Sequence, residues 1–445
     1  MARVVIIGAG LTGLSVAYHL EQQGFFDYVV LEKESEIGGL CRSITSNGFT
    51  YDYTGHLLHI SDPYVKQLVD QLVGLSTFNY IQRSSFIYSH GTHTKYPFQV
   101  NLQGLPTAVI ADCIQGFVKR RNIKDPKTFY SWVLKNFGAG FARHFFIPYQ
   151  EKLFCCDARK FSAQWTGRFI PQTSLHDIIA GALGTNGASV GYNAHFYYPK
   201  SGGIAVLPQG FARSLRKPIL TDHEVLAIDL KNRVVRCANG FEYQFDIVIN
   251  TSALPIFLSR VHDTAATNFT SCCGNLRASS VLDINMGVTQ SYVADKHWVY
   301  FPEHTYPFYR LGFYHNFSSA LVPQDSNALY VECAYRGVCD QQMIDRSIKQ
   351  VCSLYTLDPE RIIDKTIVHI PHAYVLYNRW RDEHIKNLLA RLQEVGIYSI
   401  GRYGSWKYAS MQEAILDGKQ CAVSVVSTQG EFWRKSVKKQ QMARV

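Results

Sequence analysis

The sequence predicts an α/β fold in which a parallel-sheet domain is interrupted twice, by a helical lobe and by an antiparallel sheet. Three observations support this class. The chain opens with a buried strand, a glycine turn and a helix, "RVVIIGAGLTGLSVAYHL". Residues 103–189 follow a mainly helical pattern. Residues 277–370 alternate as strands do, for example in "SSVLDINMGV" and "NALYVECAY".

The glycine turn has the spacing of a dinucleotide-binding motif. Gly8, Gly10 and Gly13 form a Gly-x-Gly-x-x-Gly pattern between the strand and the helix. Such glycines allow a tight turn, close approach of a pyrophosphate and close packing of helix on strand. The next strand, "YVVLE", ends in Glu32 about 20 residues on, where a carboxylate binds ribose hydroxyls. Together these features predict a Rossmann-like domain that binds a dinucleotide.

A second glycine pair indicates which dinucleotide to expect. It follows the ribose acid in "KESEIGGLCRS" and resembles the two-motif signature of the glutathione-reductase-like FAD proteins, which plain NAD dehydrogenases lack. The strand in "EYQFDIVINTSALP" returns to the same sheet, and "GIYSIGRYG" leads into a helix whose N-terminus can face the flavin ring. FAD is therefore the expected cofactor. The residues expected to contact it are Gly8, Gly10, Gly13, Glu32, Gly38, Gly39, Leu40, Val225, Thr251, Arg402 and Met411.

Composition excludes several classes of function. The 445 residues contain no uninterrupted apolar run of membrane-spanning length, so stable membrane insertion is not expected. The eleven cysteines include no Cys-x-x-Cys pair, so neither a metal site nor disulfides are expected, and reduced thiols fit a cytoplasmic enzyme. The net charge of +10 comes with no recognised nucleic-acid-binding motif, so nucleic acid is not an expected partner.

The segments between the flavin motifs combine aromatic side chains with arginines. Examples are "KYPFQVNL", "WTGRF", "GYNAHFYYP" and "HWVYFPEHTYPFYR". Arginines bind phosphate oxygens through a planar set of donors, and tyrosines add hydroxyl donors and stacking faces. Any one of these residues taken alone is more often part of the core or the surface, because tyrosines commonly pack with a satisfied hydroxyl.

These segments, in the same order, resemble the flavin-dependent UDP-galactopyranose mutases along almost the whole chain, and their eukaryotic form more than the bacterial one. "YTGHLLH" resembles the Gly-Gly-His segment beside the flavin and has His56 at its histidine. "YPFQVNL" is similar to the segment that faces the nucleotide. "GRYGSWKY" is the most specific match, with Arg402 at the flavin-contacting arginine and Tyr408 at a diphosphate tyrosine.

The resemblance implies a set of catalytic and substrate-binding residues. "WTGRF" matches the mobile loop with a diphosphate-binding arginine, so Arg168 takes that role and Arg310 that of the second diphosphate arginine. The implied catalytic residues are His56, Arg168, Arg310 and Arg402. The implied substrate-binding residues are Tyr96, Gln99, Phe145, Gln150, Phe154, Arg168, Asn193, Trp298, Tyr300, Arg310, Tyr374, Tyr408 and Gln412.

Four positions depart from the family pattern. Gln150 and Phe154 stand where the eukaryotic enzymes carry Asn and Trp. Gln412 stands where Asn is expected, and Thr54 stands where a second glycine is usual. Most of these positions lie around the nucleotide and the sugar. They therefore put the identity of the substrate in question more than the chemistry, and another nucleotide sugar is open.

The activity implied by the resemblance is that of an isomerase, a flavin-dependent intramolecular transferase. It interconverts the pyranose and furanose forms of a UDP-galactose-like nucleotide sugar. In the family, N5 of reduced FAD attacks the anomeric carbon while the nucleoside diphosphate leaves, with no net oxidation. NAD(P)H is the candidate external reductant. The resemblance implies a role in cell-surface polysaccharide biosynthesis, and the protein could form a homo-oligomer.

Two other classes of function stay open on the residues alone. A flavin amine oxidase or a protoporphyrinogen-type oxidase shares the same domain plan, since the two belong to one FAD superfamily. A flavoprotein-derived binding module without turnover is the third reading, because fold-level analogy is weak support for chemistry.

The predicted domain plan follows the order of the motifs. Three separate segments build the FAD-binding domain, and the substrate region fills the gaps between them. The expected boundaries are 1–80 for the first FAD segment, 81–102 for strands of the sheet domain, 103–189 for the helical lobe, 190–276 for the second FAD segment, 277–394 for the antiparallel sheet domain, 395–430 for the third FAD segment and 431–445 for a basic tail.

Overall fold

The structure is a computed structural model that describes residues 3–167, 169–185, 194–262, 268–289 and 293–442. The strands are β1 (Val4–Ile7), β2 (Tyr28–Leu31), β3 (Ser43–Ser46), β4 (Phe49–Asp52), β5 (Phe78–Gln82), β6 (Ser85–Ser89), β7 (Thr92–Lys95), β8 (His195–Pro199), β9 (Ile219–Leu220), β10 (Val225–Asp229), β11 (Val234–Cys237), β12 (Glu242–Gln244), β13 (Ile247–Asn250), β14 (Val261–His262), β15 (Ala278–Val288), β16 (Trp298–Tyr300), β17 (Arg310–Phe313), β18 (Asn327–Tyr335), β19 (Ile362–Val375) and β20 (Ile397–Ser399). The α-helices are α1 (Leu11–Gln22), α2 (Pro63–Val73), α3 (Thr107–Val118), α4 (Phe129–Asn136), α5 (Gly138–Phe141), α6 (Ile147–Phe154), α7 (Leu175–Ala182), α8 (Val206–Ser214), α9 (Leu254–Ser259), α10 (Gln341–Tyr355), α11 (Arg379–Glu394), α12 (Gly401–Gly404) and α13 (Met411–Met442).

A five-stranded parallel sheet with the order β20-β13-β1-β2-β9 confirms the predicted α/β class. The central strand β1 pairs with β2 through Val4 and Tyr28 and with β13 through Val4 and Ile247. Every residue of β1 and β13 is buried. Continuous apolar runs of this kind are typical of parallel strands covered on both faces. Helices α1 and α13 pack together on one face, where Leu14 and Ile415 share a core.

A second, seven-stranded sheet has the strand order β19-β15-β18-β17-β16-β6-β7. The long strand β15 pairs antiparallel with β18 and β19. The β6–β7 hairpin comes from much earlier in the chain and joins this sheet through parallel pairing of β6 with β16. One sheet thus contains strands from residues 85–95 and from residues 278–375.

The helical lobe consists of α3 to α7 around a core of phenylalanines. Gly140 allows α5 to approach α3, because a Cβ there would lie 2.2 Å from the carbonyl oxygen of Asp112. Between α5 and α6 the backbone forms a π-helical turn, Ala142–Phe146, a feature that often marks functional sites. The buried phenylalanines of the lobe include Phe117, Phe129, Phe137, Phe141, Phe145 and Phe146.

Two segments differ from the sequence-based expectation. The 277–370 segment, predicted as strands, contains helix α10 between β18 and β19. Asp340 caps this helix by accepting from the Met343 N–H, and Ile344 and Val351 bury one helical face, so the apolar period is that of a helix. The 431–445 segment, predicted as a basic tail, continues α13 as far as Met442. Among the described residues, no helix is long and apolar enough to cross a membrane.

Candidate active site

The first glycine turn lies where β1 enters α1. Gly8 adopts φ +101°, a conformation that favours glycine, and its N–H donates to the Leu31 carbonyl at 2.8 Å. A Cβ at Gly13 would lie 1.9 Å from the Gly8 carbonyl oxygen, so a side chain cannot fit there. Gly10 precedes α1 without a side-chain cap, which leaves the first N–H groups of the helix available to an anion.

The second glycine pair packs directly against the first turn. Gly38 donates to the Ala9 carbonyl at 2.9 Å, and a Cβ at Gly39 would lie 3.3 Å from the Cα of Gly10. Glu32 ends the neighbouring strand and accepts the Ala9 N–H at 2.7 Å. Two glycine segments and a buried carboxylate therefore meet at the carboxyl edge of the parallel sheet. This cradle, free of side chains at its centre, fits a dinucleotide.

The other residues expected to contact the cofactor lie around this edge. Thr251 donates its hydroxyl to the Ile7 carbonyl at 2.9 Å and so fixes the end of β1. Val225 is buried at the start of β10, and its carbonyl accepts from Arg260 at 2.6 Å. Leu40 packs against the lobe core, and Met411 begins α13 beside the α1 core.

Arg402 lies at the C-terminal side of the site, in the short helix α12. Its guanidinium donates to the carbonyls of Ala409 and Ala373, each at 2.9 Å. It also faces the ring of Tyr408 at 4.7 Å from the ring centroid, within cation–π range. Among the described residues, no carboxylate forms an ion pair with Arg402. Its positive charge is therefore not compensated within the described part of the chain.

Arg310, on β17, has a different environment. Its guanidinium pairs with Glu332 at 2.5 Å, and Glu332 is fully buried on the adjacent strand β18. The hydroxyl of Tyr309 donates to the same carboxylate. Asp283 lies nearby in β15, and burial, with the neighbouring Glu332, raises the pKa of its carboxyl well above the usual range. Asp283 accepts the Thr54 N–H at 2.9 Å and so holds the segment that leads to His56.

His56 lies within the field of both arginines. Burial, then Arg402 and then Arg310 lower the pKa of His56 to about 4. The imidazole is therefore neutral near pH 7. Thr54, the residue that departs from the family pattern, adopts φ +71°. Thr is β-branched, so this left-handed conformation is strained at Thr54, and glycine would adopt it without that cost.

The structure brings most of the predicted aromatic residues together through ring contacts. Tyr300 contacts Tyr96 at 5.1 Å and Trp298 at 6.5 Å between ring centroids. Tyr374 stacks with Tyr408 at 6.5 Å and contacts Phe154 at 6.4 Å. We call this set of rings the aromatic wall. Two residues that sequence reasoning missed, Tyr149 and Tyr309, complete it by linking Phe145 and Tyr300 to Tyr374.

The predicted glutamines differ in what they contact. Gln412 is expected to contact substrate, and the structure shows which backbone groups hold its amide. Its amide oxygen accepts the N–H groups of Ser61 and Asp62 at 2.7 and 2.8 Å, so both lone pairs fix the start of α2. Gln99 is buried and donates to the Pro171 carbonyl at 2.9 Å. Gln150 is also buried, and its amide oxygen has no partner within the described ranges.

For two residues of the predicted site, the structure offers no comparison with the prediction, and the sequence analysis missed three further residues. Arg168 and Asn193 lie outside the described residues. Glu332 and Asp283 were missed although the signal is visible, since each is an acidic residue inside an apolar strand pattern, where a buried charge needs a partner. Arg83 was also missed; it is buried and lies over the Tyr96 ring at 4.9 Å.

Fold and site together define a flavoprotein with a Rossmann-like FAD-binding domain and a separate region of antiparallel sheet and helical lobe. The family model of the flavin-containing amine oxidoreductases matches residues 11–426. The chain therefore belongs to this family, and the cradle of glycines and Glu32 is the part of the chain that fits its FAD.

Similarity to curated proteins is local. The chain is 33% identical over 98 residues to protoporphyrinogen oxidase 2 of Arabidopsis thaliana. The aligned stretch covers 21% of this chain and 19% of that protein. The chain is also 35% identical over 80 residues to the 4,4'-diapolycopene oxygenase of a Methylomonas species, 18% of this chain and 16% of that protein. The chain thus aligns with about a fifth of the length of such relatives.

Similarity to solved structures extends over the whole fold. A reduced UDP-galactopyranose mutase is 26% identical, with a TM-score of 0.90 over 96% of this chain and 94% of that chain. A putrescine oxidase bound to putrescine has a TM-score of 0.62 at 14% identity over 96% of this chain and 99% of that chain, which shows a shared fold alone.

Proposed function

We propose that the protein is an FAD-dependent mutase that interconverts the pyranose and furanose forms of a UDP-galactose-like nucleotide sugar, without net oxidation. The observation that carries the proposal is the pair of arginines, Arg402 and Arg310, which face Tyr408 and Tyr309 of the aromatic wall. The high structural similarity to a reduced UDP-galactopyranose mutase supports the same assignment. Cytoplasmic location and a role in polysaccharide biosynthesis belong to the proposal.

The charge at the site favours an anionic substrate over an amine. Arg402 has no ion-pair partner among the described carboxylates, and its charge lowers the pKa of His56. A protonated amine at this place would be repelled, while a diphosphate would be attracted, and partial burial strengthens both effects. A preference for an anion favours a mutase over an amine oxidase. An oxidase of an acidic substrate such as a porphyrinogen would share this preference, and the assay below distinguishes it from a mutase.

The FAD, when bound in its reduced form, would supply an electron-rich ring nitrogen as the nucleophile toward the anomeric carbon. The residues of the chain hold the other groups in place. Arg310, together with Arg168, which lies outside the described residues, would bind the diphosphate, whose negative charge grows as it leaves the sugar, so preorganised cations lower the barrier. Arg402, at the position that the resemblance places beside the flavin, would add positive potential there. Tyr374 and Tyr408 would offer hydroxyl donors and stacking faces. His56, neutral near pH 7, would accept or donate a hydrogen bond beside the ring without adding charge.

Dithionite-reduced protein incubated with UDP-galactopyranose, UDP-galactofuranose and other nucleotide sugars tests the proposal. Chromatography should separate the two ring forms and show their interconversion without consumption of reductant. NAD(P)H should replace dithionite if it is the natural reductant. Arg236→Ala, which changes a surface arginine paired with Glu242 far from the glycine turn, serves as the control and should keep full activity.

Oxygen uptake measured in parallel decides between the proposal and its alternatives. Rapid oxygen consumption with a porphyrinogen or an amine, and no isomerisation of any nucleotide sugar, would replace the mutase by an oxidase. Flavin-containing protein that turns over none of these compounds and binds no nucleotide sugar would contradict the proposal as well.

A further inference from the structure

Two histidines meet at the junction between the β6–β7 hairpin and the helical lobe, away from the aromatic wall. His90 occupies the exposed hairpin turn, and His144 lies in the π-helical turn that precedes α6. The Nε2 of His90 and the Nδ1 of His144 are 3.2 Å apart, and the ring centroids are 5.2 Å apart. The two side chains come from segments 54 residues apart, so no motif spacing announces them.

A carboxylate fixes the second histidine in one orientation. The Nε2 of His144 lies 2.9 Å from Asp112 on α3 and donates its hydrogen to that carboxylate. In the neutral ring, Nδ1 then carries the free lone pair, and it faces His90. A carboxylate behind the far nitrogen of an imidazole is the usual support of a metal-binding histidine.

The separation of the two nitrogens agrees with a shared metal ion. A tetrahedral zinc ion bonds histidine nitrogens at about 2.0–2.1 Å, which places two such nitrogens about 3.3 Å apart. The observed distance therefore needs almost no backbone movement. We propose that His90 and His144 form a binding site for a borderline divalent transition-metal ion, with Zn²⁺ as the reference ion and water completing the coordination.

The site has two protein ligands rather than three. Among the described residues, no group of three or more histidine, cysteine or acidic side chains is placed to hold a metal ion. The proposed site is thus more open than a structural zinc site, which commonly has four protein ligands. Arg143 also pairs with Asp112, at 2.8 Å, and so competes for the carboxylate that supports His144.

A bound ion would complete a ring of contacts between the sheet and the lobe. The His90 N–H donates to the Glu303 carboxylate at 2.6 Å. The backbone carbonyl of Glu303 in turn accepts from Lys152 on α6, as does that of Phe301 at 2.7 Å. The metal would bridge the remaining gap, from the hairpin turn to the π-helical turn. It would thereby hold the hairpin against the lobe that contributes Phe145 and Phe154 to the aromatic wall.

Equilibrium dialysis of the full-length, EDTA-treated protein against Zn²⁺ tests this inference directly. We expect one zinc ion per chain in the wild type, and loss of that ion in His90→Ala and in His144→Ala. Asp112→Asn should weaken binding by about 10- to 100-fold, the usual effect of losing an outer-shell carboxylate. His384→Ala removes an exposed histidine on α11 and is the matched control, expected to bind as wild type does.

Two further measurements keep the test independent of folding. His90 is exposed in a turn, so His90→Ala should retain the far-ultraviolet circular dichroism of the wild type while losing the ion. Co²⁺ in place of Zn²⁺ should give the visible absorption of a tetrahedral site in the wild type and not in the His90→Ala and His144→Ala variants. Absence of stoichiometric zinc in the wild type, or zinc retained in both histidine variants, would show instead a direct hydrogen bond between two histidines.

Discussion

Arg402 and Arg310 approach the same aromatic wall from different elements, and their surroundings differ in one respect. Arg310 pairs with the fully buried Glu332, so its charge is largely compensated before any ligand binds. Arg402 donates to two backbone carbonyls, and no described carboxylate pairs with it. The order of the effects on His56 agrees with this difference, since Arg402 lowers its pKa more than Arg310 does.

The difference suggests separate tasks for the two cations. The paired guanidinium of Arg310 lies on a central strand, so it is held rigidly and presents a fixed geometry. The negative charge of Glu332 reduces its electrostatic attraction for a bound anion. An uncompensated guanidinium contributes most of the positive potential at the site. We therefore expect the charge of Arg402 to matter chiefly for the reaction and the pairing of Arg310 to matter chiefly for the fold.

The largest expected effect follows from leaving Arg310 without its partner. Glu332→Gln removes the charge at almost constant volume, and the remaining buried cation should lower the free energy of unfolding by about 3–5 kcal/mol. Urea unfolding followed by circular dichroism measures this. The double variant Glu332→Gln/Arg310→Met, which removes both charges, should recover part of the loss. Equal stability of the wild type and Glu332→Gln would show that the pair is not a structural element.

Arg402→Met should leave the fold almost intact and remove most of the activity. Loss of one preorganised donor to a developing negative charge costs about a hundred- to a thousandfold in rate. The mutase assay measures the rate, and the absorbance of bound flavin confirms that the cofactor is still present. A variant that loses flavin instead would assign Arg402 to cofactor binding rather than to the reaction.

Arg310 variants should have a smaller effect that depends on geometry. Arg310→Ala is expected to reduce the rate by about a hundredfold, and Arg310→Lys should restore only part of it, because an ammonium cannot reproduce the planar set of donors. Nucleoside-diphosphate affinity, measured through the change in flavin fluorescence, should weaken in both variants. If the affinity is unchanged in Arg310→Ala, this arginine does not contact the diphosphate.

The smallest expected effect is on the pKa of His56, which responds to the charges of Arg402 and Arg310. Arg402→Met should raise this pKa from about 4, and the double variant Glu332→Gln/Arg310→Met, which leaves no unpaired carboxylate, should raise it less. NMR titration of the histidine ring protons measures both. The native state excludes a proton that the unfolded chain binds below pH 6.5, so stability should fall as the pH drops from about 6.5 to about 4. Similar pKa values of His56 in both variants would remove the distinction between the arginines.

The contrast between local and assembled features explains what the sequence could predict. The first cradle turn lies within residues 4–13, and its glycines are required by contacts a few residues away, such as that of Gly13 with Gly8. Parallel strands without polar interruptions make the α/β class equally visible. Such features follow from short-range sterics and from burial patterns, and both can be recognised in contiguous residues.

The pairing of polar groups across the fold cannot be predicted from contiguous residues. Glu332 reaches Arg310 only because β17 and β18 are neighbours in register. Gln412 accepts from the N–H of Ser61, 351 residues away, a contact that its position in the sequence does not indicate. The residue types were visible in the sequence, but their partners depend on the tertiary arrangement, which periodicity and motif spacing do not encode.

The parallel sheet also constrains how the chain folds while it is made. Strand β1 is synthesised first, yet its neighbour β13 follows only after residue 247, and the edge strand β20 only after residue 397. Ser15 on α1 donates to the carbonyl of Ile415 on α13, 400 residues away. Until that helix has left the ribosome, the part of α1 that packs against α13 has no cover, and exposed apolar surfaces of this kind aggregate or recruit chaperones. The nascent protein therefore carries an incomplete cofactor domain through almost its entire synthesis.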